Sequence, residues 1–484
     1  MESRPSCRTS HCPFHCSRRR FLATAGIVGA SVPMGLLDFA SSLFAAESRS
    51  SSKPIIRVVF VRPDTDKYWL GWPGAAYDIK EHQRLYTKTL KEAAEKYNVD
   101  LLVVEAPLDD EAAVGQCLDS LKRMPPQGLI VISMSLNQSW PHINRIAKER
   151  GDIPTIVFSP MGTSFTGHLQ ETRNLPGVYV AATQDVGWLD FGVRMLRTIW
   201  DMKHSRICVV TGDKTEDRRL EPIGTTLHFI PHRRYPDEYK KIEETEEVRT
   251  LTDHYSKIAE KIIEPKREDI INSVKNYVLA RQLMQEEKCD GISVNCLPLV
   301  EQHLLPAPPC MAWLRLNDEG SVGACEADWP AAISLRLTSY LFDRPGFMQD
   351  PAPNTVNNTL MGAHCSSPTK LDGFDKPGEP LILRSHSESN IGVSPQVLWR
   401  IGQKVTIMKF EGDPPGTILL GTGRVLRNID TPPSGGCRTS VELEVDGVAD
   451  ARDVKGFHQL FIYGDLELPF KAYCQLAGLK VVHI

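Results

Sequence analysis

The sequence lacks the features that mark several large classes of protein. After residue 47 no apolar run is long enough to cross a bilayer, so no membrane-spanning helix is expected there. The net charge is only −4, which gives no signature of polyanion binding and argues against nucleic acid as the main partner. No GxGxxG follows the first expected strand, and HExxH-type and GxSxG signatures are missing. Nucleotide dependence and the commonest hydrolase chemistries are therefore not expected.

The cysteines form no recognisable redox or metal motif. Three of the twelve, Cys7, Cys12 and Cys16, precede a basic N-terminal segment, and the other nine include no CxxC pair. Most of these nine are expected to be buried thiols, since a chain that folds in a reducing compartment need not form disulfides. Cys325 and Cys365 flank the candidate site described below. A structural role is expected for both, because neither has an evident paired base.

The N-terminus has the pattern of an export signal. Paired arginines in SRRRFL (17–22) precede a mildly apolar, Gly/Ala-rich stretch and then a polar segment. We interpret residues 1–47 as a bacterial twin-arginine signal peptide cleaved between Ala45 and Ser48, with an uncleaved membrane anchor as the alternative. This predicts passage through the twin-arginine translocon, which exports folded proteins, and a periplasmic location.

The remaining chain predicts an α/β protein of several domains. At 484 residues, 41% hydrophobic and 24% charged, it is long enough for two or three domains. Alternating strand and helix patterns predict two Rossmann-like domains with parallel sheets, at 54–165 and 166–375. The polar segment 213–247 is expected to be a surface insertion. Short β-patterned runs between Gly and Pro turns predict a small antiparallel, barrel-like domain at 376–484.

Two acidic residues and one histidine stand out. Glu326 and Asp328 lie two positions apart in CEADWP, and carboxylates so close repel unless a cation or a shared proton offsets the repulsion. His458 precedes the apolar run LFIYG near the other end of the chain. Carboxylate oxygens with one imidazole suit a hard divalent ion such as Mn²⁺ or Mg²⁺. The sequence therefore predicts a divalent metal site.

The phrases NDEG…CEAD, AHC, SHSES and FHQLFIYGD, in this order, resemble the L-fucose isomerase family. The resemblance implies a metal-dependent aldose–ketose isomerase that works through an enediol(ate), and a trimer or hexamer. It implies that His458 and Asp328 are metal ligands, together with a carboxylate some two dozen residues before the Asp. Glu301, 27 residues upstream (328 − 301), is the residue assigned, and both carboxylates would also serve as the acid/base pair.

Each assigned ligand has an alternative interpretation. Glu301 could be an exposed helix residue, and Asp328 could be a helix N-cap with Pro two residues on, which is compatible with ligation. Glu326 might replace either carboxylate or support a ligand, and His458 could be a core histidine.

Four further residues are expected to contact the sugar or to order the site. His364, His386 and Glu388 come from the AHC and SHSES phrases, and Trp69 could stack on a sugar ring or simply pack. The family commonly has two adjacent histidines at the C-terminal motif, whereas Phe457 precedes His458 here. An exported isomerase of free sugar is also metabolically unusual. The alternatives are therefore an exported sugar-binding protein on the same scaffold and a metal-dependent hydrolase or lyase.

Overall fold

A computed structural model of the chain describes residues 52–69, 76–430 and 436–484. The predicted signal peptide, residues 1–47, lies outside this part of the chain. Within it, no helix combines the length and the apolar character needed to cross a membrane.

Residues 55 to 183 build the first sheet and its helices. The strands are β1 (Ile55–Val61), β2 (Lys67–Trp69), β3 (Ala76–Asp78), β4 (Asp100–Pro107), β5 (Gly128–Ser133), β6 (Thr155–Pro160) and β7 (Val178–Thr183), and the helices are α1 (Ile79–Lys96), α2 (Glu111–Arg123) and α3 (Ser139–Glu149). Five strands form a parallel sheet in the order β4-β1-β5-β6-β7, while β2 and β3 form a hairpin. Alternate residues of β1 pack on opposite sides: Val58 joins α1 in one apolar cluster, and Val59 joins α2 and α3 in the other. Helices on both faces explain the continuous apolar strands.

A second α/β sheet follows. The strands in this part of the chain are β8 (Arg206–Val210), β9 (Glu216–Arg219), β10 (Thr226–Ile230), β11 (Lys261–Ile262), β12 (Gly291–Val294) and β13 (Val322–Cys325), of which β11 belongs to a different sheet. The accompanying helices are α4 (Trp188–His204), α5 (Arg234–Tyr239), α6 (Glu246–Ile258), α7 (Arg267–Glu286), α8 (Leu297–Glu301), α9 (Cys310–Asp318) and α10 (Trp329–Phe342). The sheet order is β13-β12-β8-β10-β9, parallel except for β9.

The last part of the chain is an antiparallel barrel. The strands are β14 (Phe347–Asn354), β15 (Thr359–His364), β16 (Leu381–Arg384), β17 (Ser394–Val397), β18 (Lys404–Glu411), β19 (Thr417–Asn428), β20 (Thr439–Val445), β21 (Gln459–Tyr463) and β22 (Lys480–His483), with a 3₁₀ turn at Ala451–Asp453 and helix α11 (Glu467–Ala477). Six of them run β18-β21-β14-β15-β20-β19, and pairing of β18 with β19 closes the barrel. β22 adds to β19 in parallel, and β11, β16 and β17 form a small separate sheet.

The predicted fold class is confirmed: parallel α/β sheets are followed by a closed antiparallel barrel. The sheets do not follow the predicted boundaries in every case. β7 lies beyond residue 165 but pairs with β6, and β14 and β15 lie before residue 376 but belong to the barrel. The expected insertion at 213–247 instead holds β9, β10 and α5. Strand pairing decides these memberships, and the spacing of apolar residues along one strand does not report its partner.

The barrel is tightest at Gly362, and we expect Gly362→Ala to destabilise the protein by about 1–3 kcal/mol, as overpacking does. A Cβ there would lie 2.2 Å from Cε2 of Phe461 and 2.8 Å from Oε1 of Gln349. Gly115→Ala in α2 is the matched control, since a Cβ at Gly115 meets nothing within 4 Å. It should raise stability slightly, because Ala favours a helix. Urea unfolding of both variants tests this, and equal midpoints would contradict it.

Candidate metal centre and sugar site

The candidate site lies where the second sheet meets the barrel. β13 ends at Cys325, and the turn that follows carries Glu326 before α10 begins. Asp350 lies in β14, His364 ends β15, and His458 immediately precedes β21. The carboxyl ends of parallel strands are a common place for ligand sites in α/β proteins.

Strand register explains why the three barrel residues meet. β21, β14 and β15 are consecutive neighbours, with Gln349 opposite Gln459 and Asp350 opposite Ala363. In this antiparallel register Asp350 lies opposite His458, which immediately precedes β21. On β15 the residue opposite Asp350 is Ala363, and His364 directly follows it. Three residues distant in sequence are thus brought together by the barrel alone.

The distances in the cluster are short. Nε2 of His458 lies 3.0 Å from Oδ1 of Asp350 and 3.6 Å from Oε2 of Glu326. Nε2 of His364 lies 4.0 Å from Oε1 of Glu326. Both imidazoles are buried, whereas the side chains of Glu326 and Asp350 are 38% and 35% exposed. Solvent therefore reaches the two carboxylates, while the imidazole nitrogens beside them are buried.

Three buried atoms of this cluster make no well-aligned hydrogen bond: Oδ1 of Asp350, Nε2 of His364 and Nε2 of His458, although the first and the last lie only 3.0 Å apart. Leaving a buried polar atom unpaired costs about 1–3 kcal/mol, so three together need an explanation. Ligand atoms of Glu326, His364 and His458 also lie within 4.8 Å of one another, close enough to share one metal ion. The cluster fits a cation.

The hydrogen bond made by Nδ1 differs between His458 and His364. Nδ1 of His458 lies 2.7 Å from Oδ2 of Asp328, and an ionised carboxylate can only accept, so Nδ1 carries a proton and the neutral ring has its lone pair on Nε2. Nδ1 of His364 accepts the backbone N–H of Cys365 at 2.9 Å, so the proton of the neutral ring is on Nε2. In their neutral forms His458 therefore presents a lone pair to the cluster, and His364 presents an N–H donor.

Asp328 has both oxygens engaged by the protein. Oδ1 accepts the N–H of Ala331 at 2.7 Å as the N-cap of α10, which confirms the alternative interpretation of this residue. Oδ2 faces Nδ1 of His458 and lies 3.3 Å from Nζ of Lys409. Burial alone would raise the pKa of Asp328, but the bond from His458, the charge of Lys409 and the Ala331 N–H hold it below its usual value. Asp328 thus holds the ring of His458 in place through Nδ1.

The backbone at the site is held in an uncommon conformation. Glu326, Ala327 and His458 have φ values of +61°, +53° and +52°, in the left-handed region that residues with a Cβ seldom adopt. Such conformations persist where the surrounding structure imposes them, and they concentrate at functional sites. Here they turn Glu326 and His458 towards each other.

The site favours positive charge. Burial raises the pKa of Glu326, and the nearby carboxylate of Asp350 adds to the rise, although His458 and His364 oppose it. Burial would lower the pKa of His458, but the carboxylates of Asp328 and Asp350 raise it above its ordinary value. A bound cation would relieve the repulsion between the carboxylates.

The other predicted residues lie outside the group formed by Glu326, His364 and His458. Glu301 is exposed at the end of α8. Within the described ranges Glu301, Asp328 and Asp350 are all outside that group, but Oδ1 of Asp350 lies 3.0 Å from Nε2 of His458, whereas Asp328 meets Nδ1 of the same ring. His386 lies with Cys310 and Cys365, and its Nε2 is 3.8 Å from Oε2 of Glu388. The side chain of Trp69 falls outside the described part of the structure.

The residue that sequence reasoning missed is Asp350. It lies in RPGFMQD, 24 residues after Glu326 (350 − 326). That spacing is the two dozen residues implied by the family resemblance, and it fits the pair Glu326 and Asp350 better than Glu301 and Asp328. The resemblance points to Asp328 because it begins a helix, and the geometry makes Glu326 and Asp350 an alternative pair.

Comparison with known proteins gives one distant relative among curated sequences. The chain is 26% identical over 182 residues to a sulfoquinovose isomerase from Clostridium sp. (strain MSTE9), a match that spans 36% of this chain and 39% of that protein. No family model matches the chain.

Two solved structures give only weak likenesses. A periplasmic sugar-binding protein of an ABC sugar transporter from Legionella pneumophila has a TM-score of 0.18 at 12% identity, over 57% of this chain and 99% of that one. An alanine racemase from Clostridium difficile 630 has a TM-score of 0.13 at 10% identity, over 93% and 94%. Neither likeness carries a structural argument.

Proposed function

We propose that this protein is a divalent-metal-dependent aldose–ketose isomerase. The observation that carries the proposal is the convergence of three buried polar atoms that make no well-aligned hydrogen bond, on Asp350, His364 and His458, beside the carboxylate of Glu326. The similarity to a sulfoquinovose isomerase supports sugar isomerisation in general.

Glu326, Asp350 and His458 would hold the metal. Two carboxylates and one imidazole suit Mn²⁺ or Mg²⁺ better than a structural zinc. When bound, the ion would polarise the sugar carbonyl and stabilise the negative charge that develops on its oxygen. Asp328 would keep the lone pair of His458 on Nε2, as outer carboxylates commonly do for ligand histidines.

The side chains around the ion have separate tasks in this proposal. Nε2–H of His364 would donate to a sugar oxygen and so fix the position of the substrate. One carboxylate, of Glu326 or Asp350, would remove the C2 proton of the aldose and return a proton to C1 through an enediol. Their partial exposure leaves room for a sugar to approach from solvent.

Sugar turnover tests the proposal directly. Metal-stripped protein, reconstituted with Mn²⁺, is incubated in D₂O with sulfoquinovose, L-fucose, L-arabinose and other aldoses. We expect a ketose product carrying solvent deuterium, lost in Asp350→Asn and retained in Asp375→Asn, a control at an exposed loop position. Sugar binding with no exchange on any aldose would instead favour the sugar-binding alternative.

Export and assembly are proposed from the sequence alone. The SRRRFL segment supports a twin-arginine signal, passage through that translocon and a periplasmic location. The family resemblance supports a homo-oligomer, a trimer or hexamer. Cell fractionation of the wild type beside an Arg18→Lys/Arg19→Lys variant tests the first, with retention of the variant in the cytoplasm as the expected result.

A further inference from the structure

A second cluster of side chains that could hold a metal is joined to the first through the chain, since Cys365 directly follows His364. Cys310 begins α9, Cys365 follows β15, and His386 follows β16. One ligand atom from each lies within 4.8 Å of the others. Both cysteines are free thiols, and all three side chains are buried.

The surrounding fold holds these three residues together. Gly392, in the loop after His386, packs so closely on residues 307 and 308 that a Cβ there would lie 2.6 Å from Cβ of Ala307. This contact fixes the His386 loop against the start of α9. On the other side, Ser394 donates from its hydroxyl to the carbonyl of Cys365 at 3.0 Å. The cluster is therefore built by three separate segments.

We propose that Cys310, Cys365 and His386 form a zinc site. Two thiolates and one imidazole are soft and borderline ligands, which suit Zn²⁺ and not Mn²⁺ or Mg²⁺. Nδ1 of His386 lies 2.9 Å from the hydroxyl of Ser389, so Nε2 is the nitrogen that would bind the ion. Glu388, with Oε2 at 3.8 Å from that nitrogen, offers a fourth ligand.

The zinc site does not depend on the proposed isomerase activity. It differs from the carboxylate cluster in ligand chemistry, so each is expected to select its own ion. The two are nevertheless linked through the chain, since Cys365 directly follows His364. Zinc would hold the segment that places His364 at the sugar site.

Titration of the full, reduced, metal-free chain with Co²⁺, a spectroscopic probe for zinc sites, tests the proposed site. We expect a thiolate-to-cobalt charge-transfer band in the near ultraviolet that saturates at one Co²⁺ per chain and is displaced by Zn²⁺. Carboxylate and imidazole ligands give no such band. Cys310→Ser should abolish the band, and His386→Asn should weaken Zn²⁺ binding more than about 100-fold, beyond the effect of an outer-shell change.

Two control variants test whether the charge-transfer band comes from the proposed zinc ligands. Cys474→Ser removes another buried thiol, in α11, and should leave the band unchanged, as should Asp350→Asn at the carboxylate cluster. Absence of the band in the wild type overturns the proposal, whatever the variants do. So does a band that survives Cys310→Ser, or one that disappears with Asp350→Asn. Circular dichroism of each variant verifies that it has folded.

Discussion

Glu326→Gln is expected to lose tight Mn²⁺ binding and about 1,000-fold in kcat/KM, whereas Glu301→Gln should keep both near wild type. Glu326 lies 3.6 Å from His458 inside the cluster, while Glu301 is exposed on α8. Charge stabilisation by a metal is worth several kcal/mol, and each 1.36 kcal/mol is tenfold in rate. Mn²⁺ titration and initial rates on the accepted sugar are the measurements.

The two variants decide between two ligand assignments with the same chemical change. Gln keeps the size of Glu and removes one charge, so a difference between the variants reflects position. If Glu301→Gln lost metal and Glu326→Gln did not, the carboxylate pair implied first by the resemblance would be right and the one drawn from the geometry wrong. Equal loss in both would also contradict this account.

Asp328→Ala is expected to destabilise the protein by about 4–6 kcal/mol. Loss of an N-cap costs about 1 kcal/mol. The variant also leaves buried Lys409 without its carboxylate, and removing one partner of a buried ion pair costs about 3–5 kcal/mol. Metal affinity should fall about 10- to 100-fold in addition, because His458 loses the group that orients it. Urea unfolding of the metal-free protein measures the first effect, and Mn²⁺ titration the second.

The chain offers a matched control in Asp110. Its Oδ1 caps α2 through the N–H of Ala113 at 2.7 Å, the same distance as in the cap of α10, but its cap is exposed. Asp110→Ala should therefore cost about 1 kcal/mol, the value of a cap alone. Asp328→Asn should keep the cap and weaken metal binding. Equal stability losses in Asp110→Ala and Asp328→Ala would show that the pair with Lys409 contributes nothing.

Much of the fold could be predicted because each strand carries its own pattern. The continuous Val and Ile residues of β1 and β5 indicate strands that are buried on both faces of a sheet. The short runs bounded by Gly and Pro from β18 onward indicate antiparallel strands joined by turns. Membership of β7, β14 and β15 could not be predicted in this way. It is set by which strand pairs with which, and that depends on contacts far apart in sequence.

The site was predicted in part, for a related reason. His458 and His364 were recognised from short phrases, and both lie in the cluster. Asp350 was missed because its significance comes from the pairing of β14 with β15 and β21, which only the folded barrel shows. The resemblance implies that Asp328 is a ligand because it begins a helix, as the ligand Asp of the family does. Only the structure shows that both of its oxygens are engaged by His458, Lys409 and the helix N-terminus.

The central claim is that Glu326, Asp350 and His458 bind one divalent ion, with His364 beside it as a donor. Pulsed electron paramagnetic resonance of the Mn²⁺-loaded protein tests this most directly, because it detects each imidazole nitrogen bound to the ion. We expect the signal of a single imidazole, abolished by His458→Gln and retained in His364→Gln. A protein that binds no Mn²⁺, or a nitrogen signal that disappears with His364 and persists without His458, would contradict the account.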